Sequence, residues 1–209
     1  AEDGIRYPLW SRGLGDVYKR QIKLQPNHIN FLTFILIGYI GFIVLVSAAQ
    51  SDQEWQTLVD KAGAAYEKGD SAKALDLLKA AVQLTDSGTE ARAAVLNNLA
   101  IVIEASGDLD GAESLYTKVI GLWAELNGSA HPNVTRNLGN IADLNHRRGQ
   151  LDDAVEAYKL AVATIDQNNT VEAKEVKRAI YVSYAKLLRE LGRNTEADRV
   201  LQKVFHKPK

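Results

Sequence analysis

The side chains that could carry chemistry are few, and their spacing favours neither catalysis nor metal binding. The chain has no cysteine, so it can form no disulfide, thiolate nucleophile or thiolate metal ligand. Its four histidines lack the spacing of metal ligands. Carboxylates such as Asp152 and Asp153 are typical of the first turn of a helix, where they complement the helix dipole. We find no glycine-rich phosphate loop and no acid–base pair, and so expect no catalytic residue, cofactor or metal site.

Asparagine side chains are the remaining candidates for recognition chemistry. Each amide offers both a hydrogen-bond donor and an acceptor, so a row of them suits the backbone of an extended peptide. The formal net charge of −1 argues against a nucleic-acid partner, because nucleic-acid-binding surfaces are strongly basic. These features indicate binding of a protein or peptide.

Four glycine-anchored segments repeat one helical-hairpin pattern that would hold such residues in place. Gly69, Gly107, Gly149 and Gly192 are 38, 42 and 43 residues apart. A period in this range is typical of a repeat array, in which each unit buries its apolar face on the next. Apolar periodicity predicts eight helices. Their ranges are 52–67, 71–84, 89–105, 109–126, 132–147, 151–166, 170–190 and 194–205.

Small residues recur at one equivalent position in every predicted helix. They are Ala62, Ala100, Ala142 and Ala185 on the first helices of the hairpins, and Ala74, Ala112, Ala154 and Ala197 on the second helices. Small side chains at both points let paired helices approach to the short end of the usual range of about 8–10 Å between axes. Four matches in register predict close packing within each hairpin.

The order of a small residue, a glycine and a second small residue at these offsets resembles the tetratricopeptide repeat. The stretches 96–120 and 131–162, with the lead-in His131-Pro-Asn-Val, are similar to the kinesin-light-chain type, whose repeats are longer than the usual ~34 residues. The resemblance covers residues 52–205. It implies an all-α solenoid of about four repeats and eight helices, preceded in this chain by one hydrophobic transmembrane or signal helix.

In such arrays the first helices line a concave groove, which the resemblance implies is the partner-binding surface. Helical periodicity places eleven residues on this face. They are Asn97, Asn98, Ile101, Glu104, Arg136, Asn140, Asp143, His146, Val182, Lys186 and Arg189. Peptide binding and a merely solvated face fit this pattern about equally. A clamp for a terminal carboxylate, as in some family members, matches at only two of five positions.

Two features near helix ends carry separate expectations. His146, Arg147 and Arg148 form a basic run in the last turn of a helix, where cations complement the dipole. The last helix ends in an apolar stripe, and we expect Val204 and Phe205 to lie beyond the reach of the preceding helix pair. Because an exposed apolar patch usually marks an interface, they predict homo- or hetero-oligomeric association through this helix.

Residues 31–46 are apolar and uncharged, and with their flanks they approach the ~20 residues that span a bilayer. A signal peptide cut near Ala49 and a retained signal anchor both fit. Retention is slightly favoured, because signal-peptide cores usually have ~7–15 apolar residues. Lys23 precedes the segment, whereas Asp52 and Glu54 follow it, which predicts repeats on the non-cytoplasmic side.

The expected organisation has three parts. Residues 1–21 include a stretch that resembles translated adapter sequence, and we expect a non-native, disordered segment; an ordinary polar tail is the alternative. Residues 22–49 would be the signal peptide or membrane anchor, and residues 50–209 the repeat domain. Sequons at Asn127, Asn133 and Asn168 matter only if the repeats reach a secretory lumen, and chance occurrence is slightly favoured.

The leading functional hypothesis is a non-catalytic scaffold for protein–protein interaction, membrane-tethered or exported. It would bind a partner protein or peptide through the groove and the C-terminal edge, inside a secretory or organelle lumen. The alternative is a soluble peptide-binding adaptor of the kinesin-light-chain type. The apolar segment and the lack of a heptad region before the repeats favour the scaffold.

Overall fold

The computed structural model describes residues 54–205, which form eight helices and, within that range, no strand. The helices are α1 (54–67), α2 (Ser71–Gln83), α3 (Glu90–Ala105), α4 (Leu109–Asn127), α5 (Pro132–Arg147), α6 (Leu151–Ile165), α7 (Val171–Glu190) and α8 (Asn194–Phe205). Every predicted helix end inside the described range agrees to within one residue. The predicted all-α solenoid is therefore confirmed for this part of the chain.

Turn chemistry explains why the helices end where they do. The four glycines between paired helices have φ values from +73° to +95°, a region that only glycine enters without strain. Asp70 and Asp108 follow two of them, and each side chain accepts a hydrogen bond from a backbone N–H of the next helix. Pro132 occupies the first turn of α5, where no backbone N–H is needed.

The alanine register predicted from the sequence lies at the centre of each hairpin. All eight alanines at the two equivalent positions are at most 1% exposed. Tyr116, Tyr158 and Tyr181 are among the largest fully buried side chains and fill the space between the small residues. The interiors of the hairpins are thus close-packed, so any added volume at an alanine position must displace a neighbouring helix.

From α2 to α8, consecutive helices pack against each other along the chain, and α5 also packs directly on α7. Because α5 and α7 are the first helices of neighbouring hairpins, this contact sets the two repeats side by side. With the exception of Thr85, the buried polar side chains of the described residues belong to α3 and α5. The polar face of the array is therefore built by first helices.

The basic run at the end of α5 links three other helices. His146 Nε2 lies 2.8 Å from a Glu190 carboxylate oxygen on α7. Arg147 donates to the buried Glu104 of α3 at 2.7 Å, and Arg148 donates to Asp110 and Glu113 of α4. The helix-dipole interpretation of this run is incomplete, because these side chains also join α5 to neighbouring helices.

The terminal helix α8 is amphipathic. Val200, Leu201 and Val204 pack against the core, whereas the opposite face of the helix is polar and exposed. The expectation that Val204 lies beyond the preceding helix pair is therefore wrong. Phe205 is 52% exposed, and the Arg178 guanidinium lies 5.3 Å from its ring centroid. The apolar patch at this end is reduced to one partly covered aromatic ring.

Among residues 54–205, no helix is both long and apolar enough to cross a membrane. The apolar segment 31–46, the predicted anchor 22–49 and the N-terminal stretch 1–21 lie outside the described residues. The predicted start of the repeat domain at residue 50 lies just before them.

Candidate functional site

A cleft between α5 and α7 brings together several residues of the predicted groove. The space between its walls, together with the open solvent at its mouth, is about 280 Å³. Polar groups come from α5, α6 and α7, and the apolar wall comes from α7. The lining residues are Arg136, Gly139, Asn140, Asp143, Tyr158, Val176, Ala179, Ile180 and Ser183. The cleft combines an apolar surface with a few polar groups, as binding sites usually do.

Gly139 allows α5 and α7 to come close at the base of the cleft. A β-carbon at this position would lie 2.4 Å from Cδ1 of Ile180. A glycine inside a helix costs roughly 1 kcal/mol relative to alanine, so a packing reason for it is expected. The missing side chain accommodates Ile180 and leaves the neighbouring amide of Asn140 at the cleft.

Asn140 is the least engaged polar group of the cleft. Its side chain is only 6% exposed. Within the described part of the chain its amide makes no side-chain hydrogen bond, whereas Asn133 and Asn137 on the same helix do. The amide atoms are not fully buried, so they still reach the solvent of the cleft. Asn140 can therefore bond a ligand that enters the cleft and displaces that solvent.

The charged residues of the cleft are held in place by neighbours. Arg136 donates to Asn133 and forms an ion pair with Glu172 at 3.4 Å. The carboxylate of Asp143 accepts a hydrogen bond from the Tyr158 hydroxyl. Burial raises the pKa of Tyr158 well above its ordinary value, and Asp143 adds to this, so the hydroxyl remains a donor. The cleft thus carries one fixed cation and one fixed anion.

The predicted groove residues of α3 are buried and do not line this cleft. Asn97, Asn98, Ile101 and Glu104 are each 1% exposed. The Asn97 amide donates to Asn98 at 3.5 Å, and Glu104 accepts from the Tyr116 hydroxyl at 2.7 Å. An open solvated face is therefore not what the structure shows at these positions.

The remaining predicted residues lie outside the cleft. Val182, Lys186 and Arg189 are exposed on α7, and Arg189 pairs with Asp198 of α8 at 3.0 Å. His146 is half-buried in its pair with Glu190, away from the cleft lining. Val204 and Phe205 belong to α8. Thirteen residues were predicted to bind a partner, eleven on the first helices and two on α8. The cleft brings together three of them, Arg136, Asn140 and Asp143.

Sequence reasoning missed the residues that α6 and the lower turns of α7 contribute. The sequence pattern did not predict that Tyr158, Ile180 and Ser183 would line a binding site. The glycine at 139, inside an otherwise regular helix, was the available signal of a close approach. That Ile180 is the side chain closest to Gly139 could not be predicted, because this contact depends on the angle between neighbouring repeats.

His131 has a structural position at the start of α5. Its ring stacks on Trp123 with centroids 4.8 Å apart, and its Nδ1 accepts a hydrogen bond from the Asn133 N–H. Burial lowers its pKa from the ordinary value, so the ring stays neutral and keeps this acceptor. Within residues 54–205, no three His, Cys, Asp or Glu side chains cluster closely enough to hold a metal ion.

Comparisons with known proteins agree with this architecture. Residues 91–167, from α3 to just after α6, match the family model for the tetratricopeptide repeat. No curated protein sequence matches the chain.

Solved structures share the fold at low sequence identity. BtubC (BKLC) from P. vanneervenii has a TM-score of 0.64 at 15% identity, covering 76% of this chain and 68% of its own. The nearly identical TPR-like repeats assigned to a Podosopora anserina kinesin light chain have a TM-score of 0.50 at 20% identity, covering 71% and 92%. Residues 91–167 are therefore similar to tetratricopeptide repeats, and the fold of the array is similar to that of these solved repeat structures.

Proposed function

We propose that the protein is a non-catalytic scaffold that binds an extended segment of a partner protein along its first helices, centred on the cleft between α5 and α7. Tetratricopeptide-repeat proteins generally mediate protein–protein interactions. The observation that carries the proposal is the Asn140 amide, which lines the cleft and makes no side-chain hydrogen bond within residues 54–205, although the residue is only 6% exposed.

The chemistry of the cleft fits an extended peptide. The Asn140 amide can donate to a backbone carbonyl and accept from a backbone N–H of the same strand. Val176 and Ile180 offer an apolar wall for one side chain. Arg136 and Asp143 add opposite charges, which would orient a segment that carries charged neighbours.

A peptide-display selection on the full chain in detergent tests the proposal. Selected peptides are then measured by fluorescence anisotropy against the natural chain and the Asn140→Ala variant. Loss of two amide hydrogen bonds at about 1 kcal/mol each should weaken binding by roughly ten- to thirtyfold. Helix content should not change, because the amide bonds no side chain of residues 54–205.

Asn145→Ala is the matched control. Asn145 is also buried on α5 but does not line the cleft, so its replacement should leave affinity within about twofold. Equal affinity of the natural chain and Asn140→Ala, with both fully folded, would contradict binding at the cleft. Equal weakening in both variants would indicate a general loss of α5 packing.

We also propose that residues 31–46 tether the scaffold to a membrane, with the repeats on the non-cytoplasmic side. The apolar, uncharged segment and its flanking charges support this. Alkaline carbonate extraction of the full chain should leave it in the membrane pellet. Release into the supernatant would instead favour the soluble adaptor of the kinesin-light-chain type.

A further inference from the structure

Three Asn-x-Ser/Thr triplets occur in the chain, and they differ sharply in accessibility. They begin at Asn127, Asn133 and Asn168. Attachment of an N-linked sugar requires the side-chain nitrogen of asparagine to reach a bulky donor and enzyme. The sugar must then remain in solvent, because it is large and polar.

The triplet at Asn127 lies in the exposed turn between α4 and α5. Asn127 is the last residue of α4, and Gly128, with φ of +87°, ends the helix. Asn127, Gly128 and Ser129 are all exposed. The Asn127 amide donates to the carboxylate of the half-buried Glu90 at 2.9 Å, and this exposed hydrogen bond can exchange with water.

The triplet at Asn133 is part of the packed first turns of α5. Asn133 is 5% exposed and Thr135 is 0% exposed. The Asn133 side-chain oxygen accepts from Arg136, and its backbone carbonyl accepts from the Asn137 amide. A sugar on Asn133 has no room in this packing, so the triplet is available only while α5 is unfolded.

Asn168 connects two neighbouring inter-helix loops. Its amide nitrogen donates to the backbone carbonyl of Ala130 at 3.0 Å, and its oxygen accepts from the Thr170 N–H at 2.9 Å. The residue is half-buried. The nitrogen that would carry the sugar is therefore already used to hold the loop before α7 against the loop before α5.

We propose that Asn127 is the N-glycosylation site of the folded array, and that Asn133 and Asn168 are not. In the reaction, Asn127 Nδ2 loses a proton to the transferase and forms a bond to the anomeric carbon of a sugar diphosphate donor. The anomeric carbon–oxygen bond breaks, and the diphosphate leaves on its lipid or nucleoside carrier. Natural use of the site rests on the proposed non-cytoplasmic placement of the repeats, whereas selection among the triplets does not.

The choice among triplets is tested on purified, folded full chain in detergent. A soluble asparagine glucosyltransferase with UDP-glucose supplies the sugar, and peptide mass spectrometry measures occupancy of each site. We expect hexose on Asn127, with occupancy at Asn133 about a hundredfold lower, because α5 must unwind first. Heat-unfolded chain is the control and should be modified at all three sites.

Two sequon-removing variants sharpen the result. Ser129→Ala changes an exposed residue and should abolish the modification, whereas Thr135→Val is nearly isosteric and should leave it unchanged. Comparable occupancy at Asn133 or Asn168 in folded chain overturns the proposal. So does an unmodified Asn127 in folded chain that becomes modified on unfolding.

Translation of the full chain with endoplasmic-reticulum microsomes tests placement separately. In the folded, protease-resistant chain we expect one glycan on Asn127, which endoglycosidase removes and Ser129→Ala prevents. Absence of any glycan here, with Asn127 modified in the purified folded chain, would overturn the non-cytoplasmic placement alone. Protease-resistant, folded chain with its glycan on Asn133 would overturn the site assignment alone.

Discussion

Replacement of Ala142 by tryptophan should disrupt the centre of the third hairpin. Ala142 is 0% exposed on α5, and its counterpart on α6, Ala154, is 0% exposed as well. The indole has no space at this crossing, so α6 must move away or α5 must lose its packing. Ala100 occupies the equivalent position on α3 and is also fully buried, so its replacement should have the same effect.

The expected magnitude follows from the packing. Overpacking a well-filled core typically costs about 1–3 kcal/mol. For an array of this size, each 1 kcal/mol lowers Tm by roughly 2–4 °C, so a decrease of about 2–12 °C is expected. Because repeat arrays couple mainly through nearest neighbours, part of the helix signal should be lost before the main transition.

Thermal unfolding followed by circular dichroism at 222 nm measures this effect. Ala163→Trp is the matched control, because Ala163 is an exposed alanine on α6 and the same substitution there adds no volume to the core. Its Tm should stay within about 2 °C of the natural chain. If Ala100→Trp and Ala142→Trp both unfold like Ala163→Trp, the alanine register does not mark the helix crossings.

Three further outcomes are expected. Burial lowers the pKa of His131 below the ordinary 6.5, so the unfolded chain binds a proton before the folded chain does. The free energy of unfolding should therefore fall as the pH drops below about 6.5. His131→Asn can still cap α5 and should remove this contribution to the change of Tm between about pH 7.5 and 5. Within residues 54–205 the buried Thr135 hydroxyl has no hydrogen-bond partner. Thr135→Val should therefore raise the free energy of unfolding by up to about 1 kcal/mol in urea titration, and a decrease would contradict this. Because Phe205 is the exposed apolar residue of α8 and Val204 packs on the core, Phe205→Ser should abolish any self-association in light scattering, whereas dimers that survive it would place the contact elsewhere.

Helix boundaries could be predicted because their causes are local. A glycine with positive φ and a capping Asp act within a few residues of the helix end, so Gly107 and Asp108 were sufficient to place the end of α3 and the start of α4. The alanine positions could be predicted for a similar reason. The same local pattern recurs in all four repeats, so the position in one repeat is supported by the equivalent positions in the other three.

The partners of long and polar side chains could not be predicted in the same way. Arg147 and Arg148 are adjacent in the chain, yet they bond carboxylates on α3 and α4 respectively. Such choices depend on how far each repeat is rotated against the previous one. The burial of Asn98 and the packing of Val204 could not be predicted for the same reason. The helical period shows on which face of its helix a residue lies, but not which neighbouring helix covers that face.

The measurement that most directly tests the central claim is photo-cross-linking of a selected peptide to the full chain. A photoreactive residue replaces Val182, which is exposed on α7 next to the cleft residue Ser183. A matched chain carries the same residue at Leu160, which is exposed on α6. Binding at the first-helix face predicts cross-linked peptide from position 182 and only background from position 160. Equal cross-linking from both positions, or cross-linking from 160 alone, would contradict the proposed binding surface.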